Sequence, residues 1–229
     1  MDHIQTDKRK PGALVIEVIS SMIPVMKSRY FYIGLLAIIA GAALNFASQT
    51  YLHNYMIQGK TLPMLSDLIL DNLPVVDLSL MYDLLCLVII LIVAVYIIHK
   101  KDYKRLPYIM LLSGIFFIVR GIFIVLTPFG NPPEFLGSNP LFNGWSKFEL
   151  GVYPSGHVGN SFLLLLLVND RIYRYILTFF LLAIIFALFL SHGHYSIDIL
   201  SGFLFAYAIR AFGEDYLKVF DLGFEPTAG

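Results

Sequence analysis

From Leu84 to Ile98 the chain reads LLCLVIILIVAVYII, fifteen residues without a charge, a glycine or a proline. Extended back to Leu78 it reaches the length of about 20 mostly apolar residues that a helix needs to cross a bilayer. Asp83 is the one charge in that longer run. Working outward, comparable stretches occupy residues 30–49, 106–127, 156–169, 174–191 and 195–213. The one at 156–169 is short and is expected to continue toward Arg171 and Tyr173. Residues 13–26, with Glu17 and Pro24 among apolar positions, suit a short helix lying on the inner membrane surface. The first long run begins after almost thirty residues and exceeds the 7–15 residues of a signal-peptide core, so it is kept as a span.

Composition agrees with a lipid-solvated chain. Of the 229 residues, 58% are apolar and only 14% charged, and the mean hydropathy is +0.74, far from an ordinary soluble domain. The expected fold is all-α: a polytopic membrane protein with a six-transmembrane-helix bundle. It divides into a cytoplasmic N-terminal segment (1–29), a membrane domain (30–213) and a cytoplasmic tail (214–229). A net charge of zero gives no reason to expect a nucleic-acid partner. The single cysteine, Cys86, excludes an internal disulfide and reads as a small buried residue. Oligomeric state is not legible.

Basic residues orient the bundle, because cytoplasmic loops carry the excess of Lys and Arg. Thirteen of the sixteen fall in four segments that six spans would place on one side. These are Lys8, Arg9, Lys10, Lys27 and Arg29; Lys100, Lys101, Lys104 and Arg105; Arg171 and Arg174; and Arg210 and Lys218. The opposite loops hold Lys60 and Lys147. Both termini are therefore expected in the cytoplasm. Segments 50–77, 128–155 and the turn at 191–194 would face outward, and Trp145 suits an interfacial aromatic belt.

The outer segments carry the chemistry. Tyr153-Pro154-Ser155-Gly156-His157 opens the fourth span. Pro and Ser suit a helix start, so free N–H groups beside Ser155 and Gly156 make an anion site. His194-Tyr195-Ser196-Ile197-Asp198 opens the sixth, and its i, i+4 spacing puts imidazole and carboxylate on one helix face. Asp198 can hold one ring nitrogen and leave the other free to attack. Charge counting, which ignores these motifs, places His157 and His194 on the same side. Arg120, about 10 Å below the outer end of the third span at 1.5 Å per residue, could bind a phosphate in the bundle or pair with Asp83. His192 could join His157, His194 and Asp198 in a metal site, but an i, i+2 pair on a helix points apart, so no metal or cofactor is expected.

These motifs resemble those of the type 2 phosphatidic acid phosphatase superfamily, and more closely its sphingomyelin synthase-like branch. Pro154-Ser155-Gly156-His157 looks like the Ser-Gly-His motif of both groups. His194-Tyr195-Ser196-Ile197-Asp198 is close to the synthase branch's His-Tyr-Thr-Ile-Asp. Asp67-Leu68-Ile69-Leu70-Asp71-Asn72-Leu73-Pro74 and the run from Arg120 to Pro128 resemble two further motifs, so the likeness covers roughly residues 60–210. Leu188 stands where the phosphatases have an arginine six residues before the second histidine, which favours the synthases. Glu149-Leu150-Gly151 replaces the synthases' Cys-Gly-Asp, leaving Glu149 as a possible auxiliary acid and Tyr195 as a second auxiliary residue.

The resemblance implies a phospholipid phosphotransferase with membrane lipids as donor and acceptor. His194 would attack phosphorus with Asp198 behind it, giving a phosphohistidine. His157 would serve as acid and then base, while Arg120, Ser155 and Gly156 would bind the phosphoryl oxygens. The acceptor would be ceramide or diacylglycerol, or water in a lipid phosphate phosphatase. A bacterial inner membrane, with the active site on the outer face, is the expected setting. A lipid transporter and an intramembrane serine protease using Ser155 with His194 are the rivals from other classes.

Overall fold

The computed structural model describes residues 11–135 and 150–224, with side chains from Ile16 onward. The described residues are helical with no strand among them. Seven α-helices follow in order: α1 (Pro11–Met26), α2 (Arg29–Ile57), α3 (Ser79–Lys100), α4 (Leu106–Leu126), α5 (Gly156–Leu167), α6 (Arg171–Leu190) and α7 (Ser196–Tyr216). Short 3-10 turns lie at Leu70–Asn72, Tyr103–Arg105 and Lys218–Phe220.

Five of these, α2, α3, α4, α6 and α7, are long and apolar enough to cross a membrane. Their outward faces carry large apolar side chains in the open, with Leu36 at 65%, Leu91 at 63%, Phe179 at 68% and Leu204 at 62% exposure. Contiguous apolar surface of this kind suits hydrocarbon, not water. The fourth expected span is the exception. With 12 residues, α5 is about 18 Å long, well short of a bilayer core. The expected continuation toward Arg171 and Tyr173 does not form. Asp170 instead starts a new helix, its carboxylate accepting the Ile172 and Tyr173 N–H groups at 3.0 and 3.2 Å, so both residues belong to α6.

Helix ends follow local chemistry elsewhere too. Ser28 caps α2 by accepting the Tyr30 N–H. α2 overruns its expected end at residue 49 and stops at Gln58, before Gly59 at φ +79°. α1 covers residues 13–26, where a short helix is expected, and turns Ile16, Ile19, Ile23 and Met26, an i, i+3, i+7, i+10 stripe, outward. An ion pair from Glu17 to Lys101 ties it to the start of the α3–α4 connection.

Packing fixes how the helices meet. α2 and α4 approach backbone to backbone. A Cβ at Gly114 would lie 2.4 Å from the Ala37 carbonyl carbon, and one at Gly41 would meet Phe117 at 2.8 Å. In lipid, where no hydrophobic gain drives helices together, such close approach and interhelical hydrogen bonds do so. Asn45 donates across the seam to the Phe117 carbonyl, and Ser48 to Gly121 at 2.7 Å. α5 is the hub of the other half, packed on α3, α4, α6 and α7. Its Val158 and Leu163 are fully buried. Its short length and central position put its N-terminus inside the protein.

Candidate functional site

Ser155 sets the start of α5. Its hydroxyl accepts the Val158 N–H at 3.3 Å, and its own N–H goes to the Asp198 carbonyl at 3.0 Å, locking the starts of α5 and α7 together. The side chain is completely buried. Ser155 is therefore first a cap, and the Gly156 and His157 N–H groups belong to the first turn of α5, whose donors have no partner within the helix. The preceding Tyr153-Pro154 peptide is cis.

At the start of α7, Asp198 occupies the third helical position and its carboxylate reaches back to the Tyr195 N–H at 2.9 Å, half of a capping box. The same oxygen lies 3.3 Å from Nδ1 of His194, as the spacing predicts. Both side chains are buried, His194 at 4% and Asp198 at 0% exposure. Burial pushes the His194 imidazole below its ordinary pKa; Asp198 opposes this, while His157 and Arg120 add to it.

His157 then meets His194: Nδ1 of the first and Nε2 of the second are 3.4 Å apart, with ring centroids at 5.6 Å. Nε2 of His157 lies 3.0 Å from Oδ1 of Asp83 on α3. The result is one row, Asp83, His157, His194, Asp198, joining three helices and 115 residues of sequence from end to end. The alternative pairing of Asp83 with Arg120 does not occur.

Arg120 sits beside the row. Its Nε donates to the Pro154 carbonyl at 3.0 Å, one terminal nitrogen to Gly151 at 2.8 Å, and the other to the Asn45 side chain. Three of its five N–H groups are thus committed to described residues. A Cβ at Gly156 would stand 3.0 Å from the guanidinium, so glycine lets Arg120 approach the start of α5. A cation and a helix N-terminus side by side repel one another unless negative charge lies between them. The Gly151 and Pro154 carbonyls supply part of it, and an anion would supply the rest.

The other expected residues fall as follows. Tyr195 is buried, and its hydroxyl donates to the Asn131 carbonyl at 3.0 Å and accepts the Leu65 N–H at 3.1 Å, so it pins loop to loop and does not reach the row. His192, with φ +48°, directs Nδ1 to the Pro133 carbonyl at 3.2 Å, away from a shared ligand set. Glu149, Trp145 and Lys147 lie outside the described residues.

Three positions at the candidate site could not be given their partners from sequence. Asp83 was visible as an acid in a span but its histidine was not. Asn45, a polar residue within the first span, supports Arg120. Asp67 binds the start of α7: one oxygen accepts both N–H and Oγ–H of Ser196, at 2.6 and 2.7 Å, and the other accepts Ile69 and Leu70 N–H groups at 2.9 and 3.3 Å. Burial disfavours the charge on Asp67, but the hydrogen bonds from Ser196, Ile69 and Leu70 outweigh it and hold the carboxyl below its usual range.

Comparison of the chain with models of known families and with curated proteins finds no match.

Proposed function

We propose that the protein is a membrane phospholipid phosphotransferase, similar to the sphingomyelin synthase-like enzymes, that moves a phosphorylated head group onto a lipid alcohol through a phosphohistidine. One observation carries the reading: two histidines meet nitrogen to nitrogen, each backed by its own aspartate, beside a half-buried arginine and a helix N-terminus. A nucleophile oriented by a carboxylate, a second group able to give and take a proton, and positive charge for the phosphoryl oxygens are what metal-independent phosphoryl transfer requires.

In the proposed reaction, Nε2 of His194 attacks phosphorus while Asp198 holds Nδ1–H. The bond from phosphorus to the diacylglycerol oxygen breaks, its electron pair stays on oxygen, and His157 supplies the proton. The acceptor hydroxyl then gives its proton back to His157 and attacks phosphorus, breaking the bond to His194. Arg120 and the Gly156 and His157 N–H groups face the phosphoryl oxygens. Ser155 is not the nucleophile in this scheme, since its oxygen caps α5 and is shut from solvent.

The topology proposed with it has six crossings, both termini in the cytoplasm and the site toward the outer face. α5 can complete a crossing despite its length. Arg120, level with the start of α5, is six residues from the end of α4, about 9 Å. Added to the 18 Å of α5 this gives about 27 Å, close to the hydrocarbon thickness of about 30 Å. The irregular segment 150–155 would lie at membrane depth, which is tolerated where protein covers the backbone; Val152 and Ser155 are buried and the carbonyls of Gly151 and Pro154 are paired with Arg120.

Purified protein in liposomes, given labelled ceramide or diacylglycerol and a panel of phospholipid donors, tests the reading beside His194→Ala. A new phosphorylated lipid that disappears in the variant is expected. Free phosphate or a released soluble head group would replace the transferase by a phosphatase. Absence of any product with every donor would return the chain to the transporter class.

A further inference from the structure

We propose that Asp83 is a positioning residue that loads His157 with the proton the departing lipid oxygen needs. The inference rests on the phosphoryl-transfer reading and deepens it. It begins from a count of hydrogens along the row. Asp198 accepts the Tyr195 N–H through the oxygen that faces His194, so it is an acceptor there and Nδ1 of His194 is the donor. Nε2 of His194 then carries a lone pair, as a nucleophile must. The nitrogen opposite it, Nδ1 of His157, has to bear the hydrogen. One further proton lies between Nε2 of His157 and Oδ1 of Asp83. Whichever of the two holds it, the pair carries a proton in addition to the one on Nδ1, so His157 can release the Nδ1 proton and stay hydrogen-bonded to Asp83.

The surroundings leave this task to Asp83 alone among the described acids. Its side chain is 12% exposed, its second oxygen is buried and has no hydrogen-bond partner among the described residues, and so its one bond is to His157. Tyr82, its neighbour on α3, packs edge-on against the His157 ring at 5.0 Å between centroids. Cys86, a turn further on, reaches only the His157 backbone carbonyl and Ser161. From the other side the ring meets His194, with Asp198 behind it, and Arg120 lies against Gly156. Those neighbours bring one carboxylate behind His194 and one cation. Without Asp83 no described residue on that side favours a protonated His157.

Proton transfer to the leaving group matters in proportion to how poor that leaving group is. An alkoxide from a diacylglycerol needs the proton as the phosphorus–oxygen bond breaks, and 4-nitrophenolate does not. Two esters of the same phosphorylated head group, one with diacylglycerol and one with 4-nitrophenol, therefore separate proton delivery from mere folding. For Asp83→Asn, which keeps the shape and an acceptor oxygen but loses the charge, turnover of the diacylglycerol ester is expected to fall by about 100-fold and that of the nitrophenyl ester by much less, the size general acid catalysis typically contributes. Asp83→Glu should recover part of the loss, and thermal unfolding of each variant checks that it folds. Equal losses on the two esters, or no loss on either, overturn the role of Asp83. Wild-type protein that cleaves neither ester would instead overturn the phosphoryl-transfer reading beneath it.

Discussion

Replacing Asp67 by asparagine should loosen the start of α7 and with it His194. Four donors converge on this carboxylate: Ser196 N–H and Oγ–H on one oxygen, Ile69 and Leu70 N–H on the other. An asparagine keeps one acceptor oxygen and turns an NH2 group toward the donors on its other side. Two bonds to a charged acceptor are lost, at about 1.5–3 kcal/mol each, so the ceiling is about 3–6 kcal/mol. Relaxation of the surrounding loop brings the expected loss toward the lower end. Because Ser196 lies two residues from His194, a displacement of the order of 1 Å there should cost turnover about 100-fold. The assay is phosphorylated-lipid formation in liposomes, paired with thermal unfolding in detergent, and Asp71→Asn serves as the control, since Asp71 is exposed in the same loop. Asp67→Asn with turnover within about threefold of wild type, against the 100-fold that misplacement predicts, would refute the clamp.

Gly156→Ala brings a methyl group to within 3.0 Å of the Arg120 guanidinium; Arg120, held by Pro154, Gly151 and Asn45, has to shift from the start of α5, so donor turnover should fall, and an unchanged rate would remove that close approach from the site. Arg120→Lys cannot reach Gly151, Pro154 and Asn45 together. With about 0.6 kcal/mol for an average hydrogen bond within a membrane, unfolding in detergent should show a loss of only about 1–2 kcal/mol, yet transfer should drop by more than about tenfold because the planar fork is gone. An unchanged rate would remove Arg120 from the site. The depressed pKa of His194 keeps the nucleophile neutral at and somewhat below the ordinary histidine value of about 6.5. The folded state then binds fewer protons than the unfolded one, so this contribution to stability is full above about pH 6.5 and is lost as pH falls through the lower folded value. A pH profile of kcat/KM should place the acid limb owed to His194 below 6.5; a limb centred above that pH would contradict the assignment.

Much of the site was legible because it is local. The pairing of His194 with Asp198 follows from four residues of helix, and the cap at Ser155 from the residue types at a helix start. Tyr195 shows the limit of that reasoning. Its place in the His-Tyr-Ser-Ile-Asp run marks it as a candidate auxiliary residue, but its hydroxyl spends both its roles on Asn131 and Leu65, two backbone groups far away in sequence.

The sequence by itself determined that the chain is helical and lipid-facing, because apolar runs such as Leu84–Ile98 are too long and too free of charge for any other solvent, and that is a property of composition. The end of α5 is local as well, since the Asp170 cap cuts short what a hydropathy pattern extends. Tertiary structure alone decided which acid serves which base. Asp83 lies 74 residues from His157, Asn45 75 from Arg120 and Asp67 129 from Ser196. Such pairings depend on the rotation and height of each helix against its neighbours. Those are set by close contacts such as Gly41 and Gly114 across the α2–α4 seam, and no local spacing encodes them.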